Sequence, residues 1–222
     1  MRKHTLFAAA ALTAAALTLT ACGDSEDSAK PVAEVSAESG ADAKAATVLD
    51  RPFTKPDLVL KDTEGKKYDL RARTKGKPTL VYFGYTHCPD VCAPIMGNIS
   101  VAMKELGKKL SAEDRENLQV VFVTTDPERD TPKELGAWLK DIDPDFTGLT
   151  GDFATIQAGA RQLGISIDPP SKDKKGRVVS MHGTQVIAFS PKTDDGYVIY
   201  GEDTEIEDWT QDLPKLVKGE AP

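Results

Sequence analysis

Cys88 and Cys92 carry the most distinctive chemistry of this sequence. Three residues separate them, and the third cysteine of the chain is the distant Cys22. Thiolates bind soft metal ions such as Cu(I), whereas cysteine pairs of exported proteins commonly form disulfides. A predicted buried strand, residues 78–83, precedes the pair and a predicted amphipathic helix follows it, so both thiols lie on one loop. The sequence therefore predicts a metal or redox centre on this loop.

A third ligand for a metal ion would come from one of two histidines, His87 or His182. An imidazole added to two thiolates gives a donor set that holds Cu(I) or Cu(II) with modest rearrangement. Structural zinc sites take four protein ligands, and no further cysteine is available beside this pair. His87 directly precedes Cys88, and adjacent residues on a loop often point in different directions. We favour His182 as the ligand and expect His87 to tune the thiols by a hydrogen bond or by its charge.

The N-terminus has the organisation of a bacterial lipoprotein leader. Basic residues are followed by an uncharged stretch of mainly Ala and Leu, which ends in the lipobox-like tetrad Leu19-Thr20-Ala21-Cys22. An ordinary signal peptide or a membrane-spanning anchor is the alternative, but the apolar run is short for crossing a bilayer. We predict a lipoprotein signal peptide over residues 1–21 and lipid attachment at Cys22. The expected location is the extracytoplasmic face of a bacterial cell membrane.

Residues 22–50 have the composition of a flexible membrane tether. They are mainly Asp, Ser, Glu, Ala and Lys, so they cannot bury enough apolar surface to offset the entropy of ordering. Residues 51–222 then form one predicted domain, which is large enough for a single core. The whole chain has a formal net charge of −7. We predict no nucleic-acid partner, because neutralising phosphates requires clustered Lys and Arg.

The pattern of apolar segments and turns in this domain predicts an α/β fold. Two apolar segments beside the turn sequence Asp62-Thr63-Glu64-Gly65 predict a short hairpin. β-branched runs predict buried parallel strands, and apolar residues at helical spacing predict helices that cover them. Strands are predicted at residues 78–85, 118–125, 146–150, 177–181, 184–189 and 197–200. Helices are predicted at residues 93–110, 152–163 and 205–213, and from Pro132 after the capping residue Thr131.

The segment from Asp126 to Pro132 has two interpretations. Asp126 follows a predicted central strand, at the sheet edge where sites of open α/β proteins gather, so it could orient a metal ligand or contact a partner. Alternatively, Asp126, Arg129 and Asp130 form turn and ion-pair contacts while Thr131 caps the next helix. Asp126 is not predicted to bind a metal directly.

Three features of the sequence together resemble the Sco (SenC) family. They are FGYTHCPDVC at residues 83–92, TDPERDTP at residues 125–132, and the distal His182. The resemblance implies a thioredoxin-like fold, with a central mixed sheet flanked by helices and an N-terminal β-hairpin extension. It also implies that Cys88, Cys92 and His182 bind copper.

The same resemblance implies a copper metallochaperone associated with the assembly of cytochrome c oxidase, rather than an enzyme. The expected partners are the oxidase subunit with the copper centre, an upstream copper donor, and the membrane through the lipid on Cys22. The alternative function is a thiol-disulfide oxidoreductase, in which Cys88 and Cys92 reduce the cysteines of the oxidase copper site. A peroxiredoxin-like peroxidase is a third hypothesis, since such an enzyme has the same broad fold and requires one activated thiol.

Overall fold

A computed structural model of the chain describes the fold of residues 45–222. These residues contain ten strands: β1 (Ala46–Thr54), β2 (Val59–Asp62), β3 (Lys67–Asp69), β4 (Thr79–Gly84), β5 (Gln119–Thr124), β6 (Thr147–Thr150), β7 (Ser171–Lys172), β8 (Val178–Val179), β9 (Val186–Phe189) and β10 (Asp195–Tyr200). They also contain six α-helices: α1 (Leu70–Arg73), α2 (Cys92–Glu105), α3 (Ala112–Asn117), α4 (Pro132–Ile142), α5 (Phe153–Gln162) and α6 (Ile206–Leu216).

An eight-stranded mixed sheet forms the centre of the domain. Its strand order is β1-β10-β9-β4-β5-β6-β2-β3. Strands β4, β5 and β6 run parallel, whereas β9 lies antiparallel to β4 and to β10. Strand β4 is buried along its whole length, as expected for a central strand that is covered on both faces. The carboxyl ends of β4 and β5 meet at one edge of the sheet, where the cysteine loop begins.

Helices cover both faces of the sheet, and alternate residues of β4 point into two separate cores. Leu80 and Tyr82 belong to the core shared with α2, α4 and α6, whereas Val81 and Phe83 belong to the core shared with α5. This division follows from the two-residue period of a strand. Tyr82 therefore faces α2, the helix whose first residue is Cys92.

Most of the predicted elements are confirmed. Strands β2 and β3 form the predicted hairpin, β5 is the predicted buried parallel strand, and β9 and β10 form an antiparallel pair. The side chain of Thr131 caps α4 by accepting a hydrogen bond from the backbone N–H of Glu134. The mixed sheet flanked by helices is the predicted architecture.

Strand β1 begins at Ala46, ahead of the predicted boundary between tether and domain after residue 50. Most of β1 is exposed, so it lacks the alternating apolar pattern that would predict a strand. Pairing with β10 satisfies its backbone groups along one side instead. The predicted signal peptide, Cys22 and the tether as far as residue 44 lie outside the described residues.

Two further elements differ from prediction. The strand expected at residues 177–181 is reduced to β8, which pairs with β7 in a separate two-stranded sheet. His182 consequently lies in an irregular segment between β8 and β9 rather than at the end of a long strand. Helix α6 contains Pro214 and extends to Leu216, past the predicted end at residue 213. Within residues 45–222, no helix combines the length and the apolar character needed to cross a membrane.

Candidate metal centre

The loop between β4 and α2 carries both cysteines. The backbone N–H of Cys88 donates to the carbonyl oxygen of Tyr85 at 3.1 Å, and Cys92 is the first residue of α2. Cys92 is completely buried, whereas Cys88 is partly exposed. Both are free thiols in this structure. The more accessible sulfur of the pair is therefore that of Cys88.

Gly84, the last residue of β4, allows α2 to approach the strand closely. A Cβ atom at this position would lie 2.8 Å from the Sγ atom of Cys92 and 2.9 Å from the Cε1 atom of Tyr82. Both distances are shorter than a van der Waals contact, so any side chain here would displace the thiol or the ring. The close packing at the buried thiol therefore requires glycine at position 84.

His182 reaches the thiols from the segment between β8 and β9. The hydroxyl of Ser180 attaches this segment to the end of β5 by donating to the hydroxyl of Thr125 at 2.8 Å. The Nε2 atom of His182 lies 3.5 Å from the Sγ atom of Cys92. Its Nδ1 atom lies 2.8 Å from the carbonyl oxygen of Gly183, and because a carbonyl can only accept, Nδ1 carries the proton. With the proton on Nδ1, Nε2 is the ring nitrogen that can bind a metal ion, and it lies on the side of the thiols.

Three donor atoms thus come together at one edge of the sheet. The ligand atoms of Cys88, Cys92 and His182 all lie within 4.8 Å of one another, and the described part of the chain contains no second group of this kind. Their separation is close to the span of two metal–ligand bonds of about 2.0–2.3 Å each. Two thiolates and an imidazole suit copper, whereas structural zinc sites take four protein ligands. The donor set fits a copper ion.

The two thiols differ strongly in acidity. The hydrogen bond that the Cys92 thiol donates lowers the pKa of Cys88 to about 4, against the opposing effect of burial. Backbone N–H groups of Asp90, Cys92 and Val91, at or just before the first residue of α2, contribute in the same direction. The same hydrogen bond, together with burial, raises the pKa of Cys92. Cys88, the more exposed of the two, is therefore the more acidic thiol.

Two tyrosines that sequence reasoning did not single out border the site. The hydroxyl of Tyr82 donates to the Sγ atom of Cys92 at 3.3 Å. The rings of Tyr82 and Tyr85 meet the imidazole of His182 edge to face, with centroid distances of 6.1 and 5.5 Å. In the sequence Tyr82 resembles any apolar strand residue. Its one signal is its place two residues before Gly84, on the strand face that meets α2.

His87 contacts a different set of residues. Its Nδ1 atom lies 3.0 Å from the hydroxyl of Thr86 and 3.7 Å from the carboxylate of Asp130. Asp130 is completely buried and accepts hydrogen bonds from the backbone N–H of Thr86 at 2.9 Å and its hydroxyl at 2.6 Å. It also accepts from the hydroxyl of Thr124 at 2.6 Å. This network attaches the cysteine loop to the end of β5, and His87 is not one of the clustered donors.

Asp126 also lies outside the donor cluster. Its buried carboxylate forms an ion pair with Arg129, as the simpler interpretation of this segment predicts. Arg129 in turn donates to the carbonyl oxygen of Val178 at 3.3 Å and lies 5.8 Å from the ring centroid of Tyr85. Because Tyr85 contacts His182, Asp126 supports the histidine segment through Arg129.

Comparison with known proteins identifies relatives over most of the domain. The SCO1/SenC family model matches residues 46–218. A Stutzerimonas stutzeri protein named for copper binding is 34% identical over 136 residues, which cover 61% of this chain and 64% of that protein. Mitochondrial SCO1 of Saccharomyces cerevisiae is 30% identical over 132 residues, which cover 58% of this chain and 43% of that protein. The chain therefore spans less than two thirds of the length of either relative.

Solved structures of similar proteins share the fold. Bradyrhizobium japonicum ScoI with copper bound is 30% identical, with a TM-score of 0.62 over 74% of this chain and 99% of that one. Apo Sco1 of Thermus thermophilus is 27% identical, with a TM-score of 0.64 over 80% of this chain and 99% of that one. These likenesses confirm the predicted thioredoxin-like arrangement of a mixed sheet flanked by helices.

Proposed function

The chain belongs to the SCO1/SenC family, and from that premise we propose that it is a copper metallochaperone that delivers one copper ion to the copper centre of cytochrome c oxidase. Cys88, Cys92 and His182 hold the ion. The choice of metal is supported by two relatives, the Stutzerimonas stutzeri protein named for copper binding and ScoI, which was solved with copper bound. The Sco family is a family of cytochrome c oxidase assembly proteins.

The observation that best supports the proposal is the convergence of three soft or borderline donors at one edge of the sheet. Two separate loops bring the sulfur atoms of Cys88 and Cys92 and a ring nitrogen of His182 within 4.8 Å of one another. The hydrogen bond from Nδ1 to the carbonyl oxygen of Gly183 leaves Nε2 free to bind. Thiolates select Cu(I), and the imidazole makes the same site acceptable to Cu(II).

The exposure of the ligands suits transfer of the ion rather than permanent storage. Cys88 and His182 are partly exposed and lie on loops, whereas Cys92 is buried at the start of a helix. A thiolate of the acceptor can replace the exposed ligands one at a time while Cys92 still holds the ion. Because copper must displace the proton of the Cys92 thiol, whose pKa is raised, the affinity for copper falls as the pH drops.

Attachment to the extracytoplasmic face of the bacterial cell membrane is part of the proposal. The lipobox ending in Cys22 supports lipid attachment, and the polar segment that follows supports a tether. A tether raises the effective concentration of the carrier near an acceptor in the same membrane. The proposed partners are an oxidase subunit in that membrane and an upstream copper donor.

A thiol-disulfide oxidoreductase is the second candidate function, and the difference between the two thiols favours it. Cys88 is partly exposed and its pKa is lowered to about 4, whereas Cys92 is buried beside it. The Cys88 thiolate would attack a disulfide of the oxidase copper site and form a mixed disulfide. Cys92, losing its proton, would then attack Cys88, which releases the acceptor as a dithiol and leaves a Cys88–Cys92 disulfide.

Deleting the gene in its own host tests both functions. We expect loss of cytochrome c oxidase activity that the wild-type gene restores and the Cys88→Ser variant does not. If the protein carries copper, added copper should restore oxidase activity in the deletion strain. If it reduces disulfides, an added thiol reductant should restore the activity instead. His182→Ala should fail to restore activity only in the first case. Normal oxidase activity in the deletion strain would overturn both functions.

A further inference from the structure

The hydroxyl group of Tyr82 makes a hydrogen bond that packing alone does not require. Tyr82 is 1% exposed and belongs, with Leu80 and Phe122, to the core on the α2 side of the sheet. A phenylalanine would fill the same space with the same ring contacts, and burying a hydroxyl is unfavourable unless it is hydrogen bonded. Among the described residues, the bond to the Sγ atom of Cys92 at 3.3 Å is the one this hydroxyl makes.

The surroundings of Tyr82 fix the direction of this hydrogen bond. The phenol supplies the proton of this contact, because a thiolate sulfur can only accept, so the hydroxyl of Tyr82 is the donor. The ring is held between two others, because its centroid lies 5.8 Å from that of Phe122 and 6.1 Å from that of His182. The central sheet therefore aims the hydroxyl at the sulfur of Cys92.

We propose that Tyr82 is a positioning residue that makes the copper site favour Cu(I) over Cu(II). The inference rests on the proposed function, because Tyr82 acts only if Cys92 binds copper. A hydrogen bond to a thiolate draws electron density away from the sulfur and weakens its donation to the metal. Because Cu(II) carries the higher charge, weaker donation from the sulfur destabilises Cu(II) more than Cu(I). The potential of the Cu(II)/Cu(I) couple therefore rises. Tyr82 does this through Cys92 without touching the ion.

A preference for Cu(I) agrees with transfer by exchange of thiolates. Thiolates of an acceptor select Cu(I). A donor that binds Cu(I) therefore supplies copper in the oxidation state that such an acceptor binds. The phenol of Tyr82 would thus set the oxidation state of the copper that is transferred, while Cys88 and His182 remain accessible for ligand exchange.

The test compares Tyr82→Phe with Tyr200→Phe in the full-length protein, since each change removes a single hydroxyl. Tyr200 is a matched control because it is also completely buried, and its hydroxyl donates to Asp212 at 3.1 Å. The readouts are the Cu(II)/Cu(I) potential and the energy of the thiolate-to-Cu(II) charge-transfer band. For Tyr82→Phe we expect the affinity for Cu(I) relative to Cu(II) to fall about tenfold, the effect of one hydrogen bond to a charged group. This is a decrease of about 59 mV for a one-electron couple.

The charge-transfer band of Tyr82→Phe should also move to longer wavelength, because the sulfur lone pairs rise in energy. Tyr200→Phe should keep the wild-type potential and band even if its unfolding temperature falls. A wild-type potential and a wild-type band in Tyr82→Phe would overturn the inference but would not contradict the proposed copper site. If the wild-type protein binds no copper, the inference fails together with the proposed function.

A second variant covers the case in which Tyr82→Phe does not fold. Site-specific incorporation of 3-fluorotyrosine at position 82 keeps the hydroxyl and makes it a stronger donor, because fluorine increases the acidity of the phenol. The potential should then rise above that of the wild-type protein. A potential that falls or stays unchanged would contradict the role of Tyr82.

Discussion

The Nε2 atom of His182 lies 3.5 Å from the Sγ atom of Cys92, although 90 positions separate the two residues in the chain. They meet because β9 pairs with β4 so that Val186, at the start of β9, lies opposite Tyr82, near the end of β4. The donor cluster therefore exists only in the folded domain. Changes that loosen this edge of the sheet should weaken copper binding as well as stability.

Gly84→Ala should destabilise the domain and lower its affinity for copper. The added Cβ atom would lie 2.8 Å from the Sγ atom of Cys92, and overpacking of this kind costs about 1–3 kcal/mol of unfolding free energy. Gly97→Ala is the matched control, since a Cβ atom there meets nothing within 4 Å and alanine favours the helix by up to about 1 kcal/mol. Denaturant unfolding and copper titration measure both effects. Equal stabilities of the two variants would contradict the close approach at Gly84.

Asp130→Ala should destabilise the protein and weaken copper binding. It leaves the buried hydroxyl of Thr124 and both donors of Thr86 without their acceptor, at a combined cost of about 2–4 kcal/mol. Copper affinity should fall because Thr86 no longer attaches the cysteine loop to β5. Asp152→Ala serves as the control, since it removes an exposed helix cap worth about 1 kcal/mol and should leave copper affinity unchanged. Equal copper affinities in the two variants would show that the Asp130 network does not hold the loop.

Cys88 should remain reactive in mildly acidic solution. Only the thiolate is alkylated at a useful rate, and a pKa of about 4 keeps Cys88 in that form as the pH falls from about 8 to about 6. The rate of its reaction with iodoacetamide in the reduced, metal-free protein should therefore change little over this range. It should fall only as the pH approaches the pKa. A decrease of roughly tenfold per pH unit between about pH 8 and about pH 6 would mean that Cys88 is an ordinary thiol.

The same experiment, read by peptide mass spectrometry, distinguishes the two cysteines. Cys92 is buried and its pKa is raised, so it should react much more slowly than Cys88. Alkylation of both at similar rates would contradict the difference in acidity and exposure between the two thiols.

Cys22→Ala should abolish lipid attachment and release the protein from the membrane fraction. Metabolic labelling with a fatty acid and cell fractionation measure both effects, and Cys88→Ala is a control that should stay labelled and membrane-bound. Labelling that persists in Cys22→Ala, or a wild-type protein that takes up no label, would exclude a lipid anchor at this position.

Local sequence patterns were sufficient to predict the cysteine loop, because a strand, a loop and a helix follow one another directly around Cys88 and Cys92. The adjacency of His87 to Cys88 favoured His182 as the ligand, and the family resemblance implied the same residue. The contact between Tyr82 and Cys92 could not be predicted from periodicity, since it depends on which face of β4 the first turn of α2 covers. The Asp130 network was also missed because it joins two loops that are distant in sequence.

Two of the elements missing from the predicted fold, β1 and α3, bury little apolar surface. Strand β1 is an exposed edge strand, and α3 has no buried residue, so neither shows the apolar periodicity on which prediction relies. Helix α3 is started instead by Ser111, whose side chain accepts from the backbone N–H of Asp114. Such elements depend on pairing and capping, which composition alone indicates poorly.

The most direct test of the account is an anaerobic titration of the reduced full-length protein with Cu(I) against a competing chelator, with His182→Ala and His87→Ala measured beside it. We expect one tightly bound equivalent in the wild-type protein, the same affinity in His87→Ala, and a strongly reduced affinity in His182→Ala. Weak or non-stoichiometric binding by the wild-type protein, or a loss of affinity in His87→Ala rather than in His182→Ala, would contradict the copper site formed by Cys88, Cys92 and His182.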